Sequence, residues 1–145
     1  MSKQVNIFIE NRPGRLKSVT AILAESRVNI RAFTIQDRGD FGLIKLIVDK
    51  PRQAHLALAD RGFAAALKDV VAVSIPDRPG NLHKLTSALS QHNINIVDAY
   101  GFVLEPDKRG VCCIELENAE DADRTKDLVR KEGFEVLEEK ELYEF

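Results

Sequence analysis

The chain has 145 residues, 44% hydrophobic and 30% charged, an ordinary globular mix near the size of one domain. A formal net charge of −2, 6% aromatic residues and no tryptophan argue against a nucleic-acid surface, which needs a basic stripe and stacking platforms. No apolar stretch approaches membrane-spanning length and Met1-Ser2-Lys3-Gln4 lacks the apolar run of a signal peptide, so the expected setting is the cytoplasm, away from membranes.

Val5, Ile7 and Ile9 alternate with Asn6 and Phe8, the period of two expected of a strand. Asn11-Arg12-Pro13-Gly14 halts it, with Gly14 free to adopt dihedrals closed to other residues. Leu16, Val19, Ile22 and Leu23 then fall on one helix face. Val28 to Ile35 predicts a second strand and Arg38-Gly39-Asp40 a turn. Phe41 to Val48 predicts a third strand, nearly all apolar and therefore central or covered on both faces. Pro51 suits the first turn of a second helix that ends at Gly62, with Ala54 and Leu58 inward. Phe63 to Leu67 predicts a closing strand, and Lys68-Asp69 a link to the next strand at Val70 to Ile75.

Beyond that link the pattern starts again. Asn11-Arg12-Pro13-Gly14-Arg15-Leu16 returns as Asp77-Arg78-Pro79-Gly80-Asn81-Leu82, an offset of 66 that also carries Val5 onto Val71 and Asn29-Ile30 onto Asn95-Ile96. Leu82, Leu85, Ala88 and Leu89 form the helix stripe, and Ile94 to Leu104 and Val111 to Leu116 are strands about a longer turn at 105–110. Asn118 is a helix cap, with Arg130 and Lys131 in the last turn and Gly133 closing the helix. Phe134 to Leu137 is the last strand, and the Glu-rich end from Glu138 is a short strand or packed tail. The adjacent Cys112 and Cys113 point to opposite strand faces and cannot bridge each other, as suits a reducing compartment.

The order strand-helix-strand-strand-helix-strand is that of the ferredoxin-like split βαβ sandwich. The fold class is therefore α+β: two ferredoxin-like βαββαβ units in tandem, at 1–68 and 69–145, with antiparallel sheets and helices on one face. Glu10 to Leu16 followed by Val28-Asn29-Ile30 resembles an ACT domain, and both copies carry the pattern. The first copy is similar to the serine-sensing regulatory domain of phosphoglycerate dehydrogenases. It departs from that domain at Ile9, and the second copy at Ile75, where the dehydrogenase pattern has histidine.

The resemblance implies a small-molecule binding module that controls an enzyme or regulator. The implied ligand is an amino acid held at the first turn, often between two ACT units. The implied ligand residues are Asn11, Arg12, Pro13, Gly14, Arg15, Leu16, Asn29 and Ile30, with Asp77, Gly80, Asn81, Leu82, Asn95 and Ile96 in the second copy. Free amides at the helix start suit a carboxylate, and the asparagine side chains both donate and accept. Only the first copy has asparagine at both polar positions, which favours Asn11–Leu16 over the turn at Asp77.

Nothing in the sequence resembles a phosphate-binding glycine loop, a nucleophile elbow or a metal-ligand spacing among His55, His83 and His92. The expected protein is non-catalytic, without a cofactor or metal, and a homodimer. Its partners would be an amino acid and a biosynthetic enzyme or regulator. The alternative is an adaptor that uses the ACT fold as scaffold without a ligand.

Overall fold

The computed structural model describes residues 1–144. They divide into two compact units. One comprises Lys3–Lys68 together with the chain from Lys140 onward; the other comprises Met1–Ser2 and Asp69–Glu139.

The first unit contains β1 (Ser2–Ile9), α1 (Arg15–Glu25), β2 (Ile30–Asp37), β3 (Gly42–Val48), α2 (Pro51–Asp60) and the start of β4 (Ala64–Pro76). β3 lies between β2 and β1 and is antiparallel to both; β1 also neighbours β4. All seven residues of β3 are buried, Lys45 among them, as its nearly all-apolar run predicts. The register aligns Val5, Leu46 and Phe33 across the sheet, and Ile7, Ile44 and Ile35 beside them. Val5, Ile7, Ile44 and Leu46 pack against Val19 and Leu23 of α1 and Ala54 and Leu58 of α2. Each such aliphatic side chain taken fully out of water contributes roughly 1.5–3 kcal/mol, so this one face supplies most of the unit's stability.

The second unit repeats the plan with the rest of β4, α3 (Asn81–Gln91), β5 (Ile96–Glu105), β6 (Arg109–Leu116), α4 (Ala122–Lys131) and β7 (Glu135–Leu137). β6 pairs with β4 and β5, and β7 pairs with the other edge of β4, all antiparallel. Val71, Ile114 and Ala99 occupy the places of Val5, Leu46 and Phe33, and Val73, Cys112 and Gly101 those of Ile7, Ile44 and Ile35. Leu85 and Leu89 of α3 and Leu128 and Val129 of α4 cover this sheet.

Three details differ from the sequence reading. β4 is one strand of 13 residues rather than two strands with a link, because Lys68-Asp69 contains neither glycine nor proline to break the ladder. Asn118 opens a short 3-10 turn at Ala119–Asp121 and makes no side-chain cap bond; α4 proper begins at Ala122. Of the two expectations for the acidic tail, strand and packed tail, the strand is absent: the tail packs as a five-residue helix, α5 (Glu139–Tyr143), whose Leu142 and Tyr143 are buried.

Candidate functional site

The two turns that join strand to helix share one backbone. Gly14 and Gly80 both sit at φ 89, the left-handed region, immediately before α1 and α3. A Cβ at either would meet nothing within 4 Å, so the dihedral demands glycine and crowding does not. Arg12 N–H donates to the Glu10 carbonyl at 3.0 Å, and Arg78 N–H to that of Pro76 at 2.9 Å. Ser18 and Lys84 close the first helical turn on Gly14 and Gly80.

The side chains on that backbone differ. In the first turn Arg12 Nε lies 3.1 Å from Glu10 Oε2, and Arg15 Nη2 lies 3.8 Å from Glu10 Oε1. Asn11 is exposed. A cleft of about 240 Å³ opens beside Glu10, Arg15 and Phe63, and Arg15 Nε is buried without a hydrogen-bond partner among the described residues. Of the residues predicted for this copy only Arg15 lines that cleft; Asn11, Arg12, Pro13, Gly14, Leu16, Asn29 and Ile30 do not.

In the second turn Pro76 stands where the first has Glu10, so Arg78 has no acidic neighbour at that position. Its Nη1 donates to the carbonyls of Asp77 and Asp107. Asp77 Oδ2 accepts the Asp107 N–H at 2.8 Å, and Asp77 N–H donates to the Lys108 carbonyl at 3.0 Å. Asn81 Nδ2 donates to the Pro76 carbonyl at 2.9 Å. The longer β5–β6 turn is thus fastened onto this strand-to-helix turn.

A cleft of about 460 Å³ runs from this turn under α3 across the open edge of the sheet. That volume lies within the roughly 300–1,000 Å³ of small-molecule sites. Asp77 and Arg78 are its charged lining residues, and Leu82, Leu85, Thr86, Ile96, Ala99, Gly101, Cys112 and Ile114 form most of the wall and floor. Thr86 and Ile96 also border a neighbouring hollow of about 560 Å³, lined by Asn93, Asn95, Glu117 and Asn118. Asp77, Leu82 and Ile96 of the predicted residues therefore line the apolar cleft, and Asn95 and Ile96 the polar hollow; Gly80 and Asn81 line neither.

The Asn-Ile pairs have a local structural role in both copies. Asn29 N–H donates to Asp49 Oδ1 at 2.8 Å, and its carbonyl accepts the Asp49 N–H at 3.1 Å. Asn95 carbonyl accepts the Glu117 N–H at 3.1 Å, and Asn95 Nδ2 donates to Glu117 Oε2 at 3.1 Å. Ile30 and Ile96 pack against the two cores.

The cleft-lining residues that sequence reasoning did not single out are Ala99, Gly101, Thr86 and Arg78. Their signal lies in the repeat itself: at the same offset, Ala99 and Gly101 replace Phe33 and Ile35.

Both cysteines are free and buried. Burial pushes the Cys113 thiol from its ordinary value near 9 up to about 12, and that of Cys112 upward as well. Neither is a thiolate at neutral pH, so neither is an activated nucleophile. The ring nitrogens of His55 and His92 contact the carbonyls of Ala65 and Ala88, and His83 lies 3.4 Å from Ser87 Oγ. Among the described residues no group of three or more His, Cys, Asp or Glu could hold a metal ion. No helix among them is long and apolar enough to cross a membrane.

No curated protein matches the chain. Among solved structures it is similar to protein BT0572 from Bacteroides thetaiotaomicron, with 33% identity and a TM-score of 0.90 over 99% of this chain and 96% of that one. The regulatory subunit of aspartate kinase from Thermus thermophilus shares 22% identity and a TM-score of 0.65, covering 90% of this chain and 91% of that one. Its counterpart from Thermus flavus shares 20% identity and a TM-score of 0.60, covering 90% and 92%. At those identities the two subunits show a common fold. The family described as the ACT domain pair matches residues 1–145, and with two βαββαβ units built on a repeated glycine turn, the chain belongs to that family.

Proposed function

We propose that the protein is a non-catalytic regulatory module, working in the cytoplasm, that binds a free amino acid at its second turn and so controls a partner enzyme or regulator. The observation that carries this reading is the presence of opposite charges, Asp77 and Arg78, in the lining of the 460 Å³ cleft. Asp77 spends Oδ2 on Asp107 N–H, leaving Oδ1 to take an α-ammonium. Arg78 spends Nη1 on two carbonyls, leaving Nη2 and Nε to take an α-carboxylate in a charge-assisted pair. The first turn offers less, because Glu10 already engages both Arg12 and Arg15 there. Ile9 and Ile75 in place of the dehydrogenase histidine also argue against serine as the ligand.

Titration calorimetry with the twenty amino acids tests the reading. At least one should bind tighter than millimolar, and Arg78→Ala should weaken it about tenfold, some 1.4 kcal/mol. Millimolar or weaker binding by all twenty would overturn it.

One observation favours the adaptor reading for the first copy. Phe33 and Ile35 are 60% and 46% exposed on edge strand β2. Such side chains suit a contact with a second copy or with the controlled protein. Phe33→Ser should then lower the assembly mass in light scattering or abolish partner capture, without affecting amino-acid binding.

A further inference from the structure

We infer that the cleft selects amino acids with a bulky apolar side chain, of the leucine, isoleucine or phenylalanine class, and that Ala99 is its specificity-determining residue. This rests on the reading of Asp77 and Arg78 as the head-group site.

The register makes the two copies directly comparable. Phe33 opposes Leu46 on β3, and Ala99 opposes Ile114 on β6. Ile35 opposes Ile44, and Gly101 opposes Cys112. In the first copy two large side chains therefore stand on the helix-side face of the edge strand. In the second copy the same face carries a methyl group and a hydrogen. The space this leaves is bounded by Leu82, Leu85 and Ile114, which offer a side chain apolar contact and no charge.

The rest of the lining fits the same ligand. Asp77 and Arg78 are the charged residues of the cleft, so a zwitterionic head held on them leaves its side chain to the apolar remainder, which includes Ala99. A charged or strongly polar side chain there would lose water without gaining a partner. A small side chain would leave the apolar wall partly unfilled, and each missing methylene in such a pocket weakens binding by about tenfold or more. Gly101 is not the better probe, since a Cβ there would come within 3.1 Å of the Val111 carbonyl oxygen. Ala99 is exposed, and Phe33 shows that this fold accepts an aromatic ring at the corresponding position.

The test is calorimetry of leucine, phenylalanine, alanine, serine and aspartate against the full chain, Ala99→Phe and Leu82→Ser. Leucine or phenylalanine should bind at least about tenfold tighter than alanine, serine and aspartate. Ala99→Phe should abolish that preference, and Leu82→Ser, at a 57% exposed position that cannot unfold the core, should reduce it. Phe33→Ala should leave binding unchanged. Serine or aspartate binding as tightly as leucine, or undiminished leucine binding by both cleft variants, would overturn the inference while leaving an amino-acid sensor in place. Binding of none of the five, nor of the other amino acids, would remove the sensor reading itself.

Discussion

Arg27 and Asn93 occupy the same left-handed position, φ 55 and 56, just past α1 and α3. Asparagine tolerates that region; a long side chain with a full Cβ does so at a cost of about 1–2 kcal/mol. What holds Arg27 there is backbone bonding: its N–H donates to the Ala24 carbonyl, and Val28 N–H to that of Leu23. The side chain contributes no contact that would be lost, so Arg27→Asn should stabilise the protein by about 0.5–1 kcal/mol, seen as a higher urea midpoint at unchanged slope. A second residue-scale effect concerns alkali. Burial raises the Cys113 thiol from near 9 to about 12, and burial, aided by Cys113 and nearby Asp98, raises the Tyr100 hydroxyl above its usual 10. Below about pH 8 both groups are protonated in folded and unfolded chains alike, and their contribution is fully present. Between about pH 9 and 12 the unfolded chain loses protons that the folded one retains, so stability falls as pH rises. The urea midpoint should therefore be level from pH 7 to 8 and decline above 9. Cys113→Ser, which keeps a hydroxyl partner for Tyr100 and removes the thiol titration, should shallow that decline.

β5 and β6 form the floor of the cleft, and their contact is tightest at two glycines. A Cβ on Gly110 would lie 2.9 Å from the Phe102 carbonyl oxygen, a backbone atom that cannot swing aside. Gly110→Ala should push the strands apart and cost about 1–3 kcal/mol, with faster amide exchange at Phe102 to Leu104 than in β1 or β3. The elements themselves were legible in sequence because periodicity and punctuation act locally: β1, α1, β3 and α3 follow from alternation, apolar stripes and Pro-Gly turns. The continuity of β4 was not, since Lys68-Asp69 reads as a polar joint while the strand runs unbroken through it. Nor did Asn118 reveal that a 3-10 turn would precede α4. Of the residues lining the cleft, Asp77 and Leu82 were marked by the repeated turn and Ile96 by the repeated Asn-Ile pair. The cleft's floor was not, because an exposed alanine and glycine on an edge strand carry no pattern of their own. They become informative only when strand register sets them against Phe33 and Ile35.

At the scale of the molecule, the ends of the chain do not stay with the repeat that their sequence position suggests. Met1–Ser2 is part of the second unit, and the chain from Lys140 is part of the first. Ser2 Oγ donates to the Leu137 carbonyl at 3.1 Å, and the Met1 ammonium lies 3.9 Å from Glu138. In the first unit Tyr143 Oη accepts the Lys3 N–H at 2.8 Å, and Arg31 Nε donates to the Tyr143 carbonyl at 2.9 Å. Leu142 is fully buried. Residues 1–68 thus match a repeat in sequence, yet the first unit also includes the segment from Lys140. Leu142→Ala should cost about 2–5 kcal/mol, as for other buried leucines that cannot be replaced by collapse. The loss should be local before it is global: amide protection at Lys3 to Ile7 and in β2 should fall at denaturant concentrations where β5 and β6 remain protected, as measured by native-state hydrogen exchange. Equal loss of protection in both units would mean that α5 stabilises the whole chain rather than the first unit. A ligand held at Asp77 and Arg78 would then have to stabilise the second unit without restoring protection to β1 in the Leu142→Ala variant, which separates the tail's role from the cleft's in one experiment.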